Sequence, residues 1–457
     1  MTQTIKKFIN DSAAARWTAL ILVASMMFFA YMFVDVLSPL STLLEKPVAE
    51  GGQGWTPDTY GTFCSSEYFL NVFAFFLIFA GIILDKMGVR FTGILSGIVM
   101  VVGAGIKLFA LSEYFAPGFF LYDWLNSFWT DFPPTAKLAS IGFMIFGCGV
   151  EMAGVTVSKA IARWFKGKEM ALAMGLEMAI ARLGVFAVFR MSPYLSTFLN
   201  EKMPTAVTPV LVCTILLLIG LIAFTVFTFM DKTLEKQQGE VQEEAEEQFK
   251  VSDIGKLFKS RCFLIVAGLC VLYYSAIFPF QKFATGMLET NLGVSNDDAA
   301  ALFSWFPIGA MILTPFLGAF LDRKGYGASM LIGGAILMII CHLTFALVPL
   351  TKGIAYGAII LLGISFSLVP AALWPSVPKI VEERYLGSAY SVIFWIQNIG
   401  LMAFPIIIGA TLKATGGYRA PMIIFAVLGI LALLLGLWLK LENKKNDLGL
   451  EDPNMKS

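Results

Sequence analysis

The sequence predicts an all-α membrane protein with twelve transmembrane helices in two six-helix pseudo-repeats. Three observations carry this. Of 457 residues, 58% are hydrophobic and 14% charged, more apolar surface than a soluble domain can cover. Twelve apolar runs reach the roughly 20 residues a bilayer span needs. A short loop motif and a small-residue pattern each recur at equivalent places in the two sets of six.

The spans are expected at about 17–43, 59–84, 91–113, 136–161, 169–190, 206–230, 262–286, 299–321, 328–350, 353–378, 388–411 and 418–440. The apolar run from Trp17 is too long for a signal peptide, and no cleavage pattern follows it. The longest polar interval holds the acidic run 243–247 and reads as a solvated linker. The organisation is a first bundle over 1–230, a linker over 231–261, a second bundle over 262–441 and a tail over 442–457. Lys6, Lys7, Lys86, Arg90, Arg163, Lys166, Lys168, Arg323, Lys324, Lys444 and Lys445 all fall on one side if the spans alternate. Lys/Arg excess marks the cytoplasmic side, so both termini and the linker are expected there. Opposite loops carry aromatics such as Trp124 and Trp129, which suit a membrane interface.

The net charge of +1 gives no field for nucleic acid. The six cysteines form no CxxC pair and read as small buried hydrophobes. The single histidine, His342, has no Cys/His cluster around it. No metal, cofactor or catalytic grouping is expected, which argues against an enzyme.

Ionisable residues inside spans are costly and mark functional sites. Glu151 in span four and Arg182 in span five lie at similar depth, near midspan at 1.5 Å per residue. They pair directly and hold the two spans together, or each meets an opposite charge on a substrate and they pair with one another at rest when it is absent; the two readings are compatible. Towards the other side lie Asp35, Glu67 and Lys107. Tyr31 with Asp35, and Glu67 with Asn71, are spaced i, i+4 and share helix faces. Asp35 and Glu67 line a vestibule, form a proton site, or join Lys107 in an ion-pair cluster. Glu177 with Lys159 reads as an inner charge pair or gate. The second half offers Tyr273 and Tyr274 in span seven, Trp374 in span ten, and Gln397 and Asn398 in span eleven. Pro279, Pro370, Pro375 and Pro405 break these spans, as cavity-lining helices tolerate.

Gly81-x-x-x-Asp85-Lys86-x-Gly88-x-Arg90 follows span two, and Gly318-x-x-x-Asp322-Arg323-x-Gly325 follows span eight. Ala171-x-Ala173-x-Gly175 with Gly184 parallels Gly387-x-Ala389-x-Ser391 with Gly400, where small residues allow close helix approach. Two parallel six-span halves are the build of major facilitator transporters, and the doubled loop resembles that superfamily's cytoplasmic gate signature. Arg163-Trp-Phe-Lys-Gly-Lys-Glu169, Ala181-Arg182-Leu-Gly184, Tyr273-Tyr-Ser-Ala-Ile-Phe-Pro-Phe280, Ala372-Leu-Trp-Pro375 and Ile396-Gln-Asn-Ile-Gly400 resemble the lysosomal dipeptide uniporter family within it. The likeness covers most of spans four to eleven. It implies that Glu151 meets a peptide amino end and Arg182 its carboxylate, with Trp374, Gln397 and Asn398 in the cavity wall. Lys282 departs from the family pattern, which is small and uncharged there.

The expected function is alternating-access transport of small zwitterionic peptides, by uniport as the resemblance implies. Arginine suits a bidentate carboxylate contact. The alternatives are a proton-coupled symporter of an organic anion or other small metabolite, and a nontransporting receptor or scaffold. A monomer is expected, in contact with the lipid bilayer and a small-molecule substrate. Since no outward-facing loop carries a glycosylation sequon, the expected location is the cell inner (plasma) membrane, with the lysosomal membrane as the alternative.

Overall fold

A computed structural model describes residues 8–166, 168–238, 255–382 and 385–453; the acidic run 243–247 lies outside them. The regular secondary structure of the described residues is all helical, without strands. The first half contains α1 (Ala13–Asp35), α2 (Pro57–Ser66), α3 (Phe69–Phe73), α4 (Phe76–Leu111), α5 (Phe120–Asn126), α6 (Pro134–Phe165), α7 (Met170–Thr197) and α8 (Val207–Gln238). The second contains α9 (Arg261–Leu292), α10 (Asn296–Phe303), α11 (Trp305–Lys324), α12 (Gly327–Leu347), α13 (Lys352–Ile380), α14 (Leu386–Thr415) and α15 (Arg419–Asn446). The end of the molecule that carries the termini is called the linker face, and the other end the loop face.

Helix ends follow local chemistry. The hydroxyl of Ser12 accepts from Ala15 N at the start of α1, and that of Ser260 accepts from Phe263 N at the start of α9. Each satisfies a backbone donor that a helix start leaves orphaned. α9 and α14 stop at Gly293 and Gly416, both in the left-handed conformation glycine reaches without strain.

Among the described residues, eleven helices are long and apolar enough to cross a membrane, against twelve expected. The difference is span two. Instead of one helix over 59–84, the chain forms α2, α3 and the first turns of α4. It tightens at Glu67–Tyr68, where Tyr68 N donates to Ser65 O at 3.1 Å. It breaks again at Phe75, whose φ is +52°. From there α4 runs through a kink at Gly88 and on into span three.

The repeat is visible in backbone as well as sequence. Gly88 and Gly325 close the two copies of the loop motif, with φ of +74° and +79° and extended ψ of 170° and −140°. That region is essentially reserved for glycine. Gly184 on α7 packs against the Phe28 carbonyl of α1, while Gly400 on α14 packs against the Ser275 side chain of α9. In both places a side chain would overlap its neighbour. Each half thus brings its first and fifth spans together through a glycine at the same motif position.

Asp231 organises the linker face of the first half. Buried at the end of α8, it accepts from Trp164 Nε1 at 3.0 Å and Arg163 at 3.3 Å, with Arg90 at 3.9 Å. Arg90 also pairs with Glu235. Lys168 donates to Asp11 at 2.9 Å and holds that carboxyl below its usual range. Asp85 of the loop motif pairs with Lys159 at 3.1 Å, so Lys159 takes Asp85 rather than Glu177 as its partner. In the second half, Tyr326 and Gly327 N–H groups donate to Glu451 and Leu450 carbonyls. Lys379 donates to Gly449 and Asp452 carbonyls. The tail is thereby fastened across the linker-face ends of α11, α12 and α13.

Candidate functional site

Arg182 sits roughly 18 Å along α7 from its linker-face end, and Glu151 roughly 21 Å along α6 from the same face. Both retain partial exposure inside the helical bundle. They do not pair with each other: among the described residues no ion pair includes either. The direct bridge between spans four and five is therefore not formed.

Each charge faces the second half instead. The Arg182 guanidinium carbon lies 5.8 Å from the Tyr31 ring centre, 5.3 Å from Phe278 and 5.2 Å from Phe366. Ring faces attract a guanidinium at this range, but they leave its N–H donors free for an anion. Glu177, one turn and more towards the linker face, remains within electrostatic reach of Arg182. The Asn398 amide lies against the Glu151 carboxyl. An amide places a dipole there but no positive charge, so the carboxylate has no counter-cation.

The wall continues from Arg182 along aromatics. Tyr274 stacks on Phe278 at 5.5 Å. Its hydroxyl accepts from Trp374 Nε1 at 3.2 Å. Trp374 in turn stacks on Phe394 at 4.9 Å and lies 6.1 Å from Tyr390. Tyr31, Tyr274, Trp374, Asn398, Glu151 and Arg182 thus belong to one region between the halves.

Two expected residues fall outside it. Tyr273 is fully buried, and its hydroxyl donates to the Leu331 carbonyl. Neighbouring helix positions diverge by about 100°, so Tyr274 faces the aromatic wall while its neighbour packs on α12. Gln397 accepts from Cys270 Sγ at 3.4 Å inside the second half, and Asn398 alone reaches Glu151. His342 is buried between Phe280 and Phe425, with ring centres 5.1 and 5.2 Å away.

The charges nearer the loop face are arranged differently from the ion-pair cluster with Lys107. Asp35 pairs with Lys282 of α9 at 2.9 Å. It also accepts from Gln281 at 2.6 Å and Ser38 at 2.9 Å. Among the described residues Lys107 has no hydrogen-bond partner; its ammonium lies over the rings of Phe33, Phe63 and Phe143. Glu67 and Asn71 are not on one continuous helix face, because the helix tightens at Glu67. Glu67 Oε2 and both amide atoms of Asn71 are buried without partners among the described residues.

The loop face is closed by further links between halves. Thr42 donates to Glu289 at 2.8 Å, Asn296 to the Pro39 carbonyl at 2.8 Å and Tyr60 to the Lys282 carbonyl at 3.1 Å. Arg190 donates to Ser304 at 3.0 Å. Lys413 and Asp58 pair at 2.9 Å. Gly61 and Gly409 allow backbone contact between α2 and α14. Deeper in, Trp395 Nε1 donates to the Val72 carbonyl at 3.0 Å, and its ring stacks on Phe75 at 5.3 Å. A break in a membrane helix frees carbonyls that a neighbour must satisfy, and Trp395 supplies such a donor. Sequence reasoning gave no role to Trp395, Phe278 or Phe366; Trp395 is one residue before the quoted span-eleven motif, Phe278 lies inside the quoted span-seven motif, and nothing distinguished Phe366 from ordinary core.

The Major Facilitator Superfamily sequence model matches residues 20–287 and again 280–453. A lysosomal dipeptide transporter, MFSD1 of Danio rerio, is 31% identical over 352 residues, 76% of this chain and 70% of the relative. MFSD1 of Homo sapiens is 28% identical over 344 residues, 74% of this chain and 69% of the relative. A probable sulfoacetate transporter, SauU of Cupriavidus necator, is 32% identical over 142 residues, covering 29% of this chain and 33% of the relative. Among solved structures, a D-xylose–proton symporter superposes with TM-score 0.68 at 14% identity, covering 94% of this chain and 97% of its own. A point mutant of the nucleoside transporter NupG superposes with TM-score 0.67 at 13% identity, covering 92% and 99%. These two likenesses concern the fold.

Proposed function

Because this chain belongs to the major facilitator superfamily, and so is a multi-pass membrane transporter rather than an enzyme, we propose that its substrates are small zwitterionic peptides. The observation that carries the reading is the separation of Glu151 from Arg182. Neither forms an ion pair among the described residues; the Asn398 amide lies beside Glu151, and Arg182 lies among aromatic rings with Glu177 within electrostatic reach. Unpaired charges in a membrane interior are costly, and a dipeptide offers an ammonium for one and a carboxylate for the other. The aromatic wall between Tyr274 and Trp374 supplies apolar contact without reading a particular side chain. The MFSD1 relatives, named as dipeptide transporters, support the same substrate class.

The two halves exchange access by rocking about this site, with residues 231–261 as the linker and the loop-motif residues Gly81, Asp85, Arg90, Gly318, Asp322 and Arg323 gating the linker face. Transport is uniport, and the protein works as a monomer in the cell membrane with both termini cytoplasmic. The deciding experiment is counterflow in proteoliposomes. Labelled dipeptide should accumulate transiently when the lumen holds unlabelled dipeptide, and unlabelled sulfonates or monocarboxylates should not replace it. Counterflow driven by an organic anion but not by dipeptides would favour the anion reading, to which the short SauU likeness points.

A further inference from the structure

The loop-face connection from α4 to α6 exposes a cluster of aromatics. Tyr114 and Phe120 are 83% and 82% exposed, and Phe119, Trp124, Phe128 and Trp129 are exposed as well. α5 divides its surface three ways, since successive positions diverge by about 100°. Phe120 and Trp124 share one side, and Phe128 continues their spacing just past the helix end, its ring 5.3 Å from that of Trp124. Leu121, Tyr122 and Leu125 turn to the protein: Leu125 is buried, and Tyr122 packs on the buried Phe115 at 5.3 Å. Asp123 and Asn126 hold the third side and are exposed.

Both ends of α5 are fixed at the level where the neighbouring spans end. Before it, Phe115 and Phe119 pack on Phe109 in the last turns of α4, at 5.6 and 5.7 Å. Behind it, the Lys137 ammonium on the first turn of α6 donates to the Leu125 and Phe128 carbonyls and lies 4.6 Å from the Phe128 ring centre. α5 therefore lies along the boundary between the spans and the loop-face water rather than standing out from it. Further along the same two spans the protein again exposes apolar side chains, as at Val102 of α4 and Ile141 of α6.

An exposed aromatic cluster at the end of a span suits the boundary between headgroups and acyl chains, and the charges select the headgroup. No lysine or arginine stands between Lys107 and Lys137, and the Lys137 ammonium is engaged by carbonyls. Glu113, Asp123 and Asp131 are exposed. Carboxylates repel an anionic headgroup, whereas ring faces and carboxylates together attract the cationic end of a zwitterionic one. We propose that this connection is a lipid-binding surface in the loop-face leaflet, with Phe120, Trp124 and Phe128 inserted and zwitterionic phospholipid as the partner. The proposal concerns the bilayer, whichever small molecule is carried, and its test uses no transport substrate. Its failure is therefore distinguishable from failure of the peptide reading.

The test uses the full chain in phosphatidylcholine vesicles, with the half-buried Cys262 replaced by serine. One spin label at a time is placed at Phe120→Cys, Trp124→Cys or Asn126→Cys, so that loss of one ring leaves the others in place. Relaxation of the label by oxygen, which concentrates in lipid, is compared with relaxation by a water-soluble nickel chelate. Positions 120 and 124 should favour oxygen and lie roughly 5–10 Å inside the headgroup boundary, while position 126 should favour the chelate. Replacing part of the lipid by phosphatidylglycerol should shift positions 120 and 124 towards water. If 120 and 124 meet the chelate as freely as 126 does in phosphatidylcholine, the lipid proposal is overturned and the face is left for a protein partner. A depth that stays the same or increases with phosphatidylglycerol overturns the assignment of a zwitterionic headgroup.

Discussion

Asp35 and Lys282 meet at 2.9 Å across the boundary between the two halves, with side chains 2% and 6% exposed. Lys413 and Asp58 make a pair of the same length nearby, but with 50% and 36% exposure. The two should differ sharply in weight. Removing one member of a buried pair costs about 3–5 kcal/mol, whereas an exposed pair is worth about 0–1 kcal/mol. Asp35→Ala should lower the thermal unfolding midpoint by several degrees, and Asp58→Ala should leave it nearly unchanged. Equal shifts would mean the buried pair does not fasten the closed loop face.

Gly88 and Gly325 share the same backbone region but not the same surroundings. A Cβ at Gly88 meets nothing within 4 Å, while one at Gly325 runs into the Glu451 carbonyl and Asp452 backbone of the tail. Gly88→Ala should cost about 1–3 kcal/mol through backbone strain alone. Gly325→Ala should cost more and should also release the tail, seen as faster amide exchange at residues 449–452. Equal costs with a protected tail would show that the tail adjusts freely.

Gly409 touches the Pro57 backbone across the loop face. Gly409→Leu should wedge α2 and α14 apart and raise the loop-face-open population in a spin-label distance measurement between the two halves. Packed interfaces do not absorb an added side chain without shifting. An unchanged distribution would place the closing contacts elsewhere.

The uniport reading predicts net dipeptide entry down its gradient without a proton gradient. An uncoupler should leave the rate unchanged, and Glu67→Gln should transport. Accumulation that collapses with an uncoupler and disappears in Glu67→Gln would assign Glu67 a proton-carrying role instead.

Much of this is legible in the sequence, for identifiable reasons. Apolar length marks the spans, and the paired loops and Gly184/Gly400 mark the repeat, because positive φ favours glycine at Gly88 and Gly325 and close packing demands it at Gly184 and Gly400. Span two reads as one helix in the sequence and is not one in the structure. Its interruptions at Glu67 and Phe75 carry no proline or glycine, and at the second Trp395 of the other half satisfies the Val72 carbonyl. The depth of Glu151 and Arg182 follows from helix rise, but their separation does not, since it depends on which faces α6 and α7 turn to the second half. Lys282 stands out as a departure from a family pattern, yet its partner cannot be read. Asp35 and Lys282 are far apart in sequence, and only packing of the Ser38–Leu40 turn that follows α1 against α9 joins them. Tyr273 and Tyr274 are equivalent in the sequence; one residue of helix rotation sends the first into the core.

The most direct measurement compares three ligands, a dipeptide, its N-acetylated form and its C-terminal amide, by binding to the unaltered chain, Glu151→Gln and Arg182→Ala. Losing one partner of a desolvated charge pair costs about 2–5 kcal/mol, or roughly 30- to several-thousand-fold in affinity. Arg182→Ala should bind the free dipeptide weakly and no longer prefer it over the amide, while still discriminating against acetylation. Glu151→Gln should lose only the preference for a free amino end. If both variants fold, bind weakly and keep both preferences, Glu151 and Arg182 do not hold the two ends of a peptide, and the account is wrong.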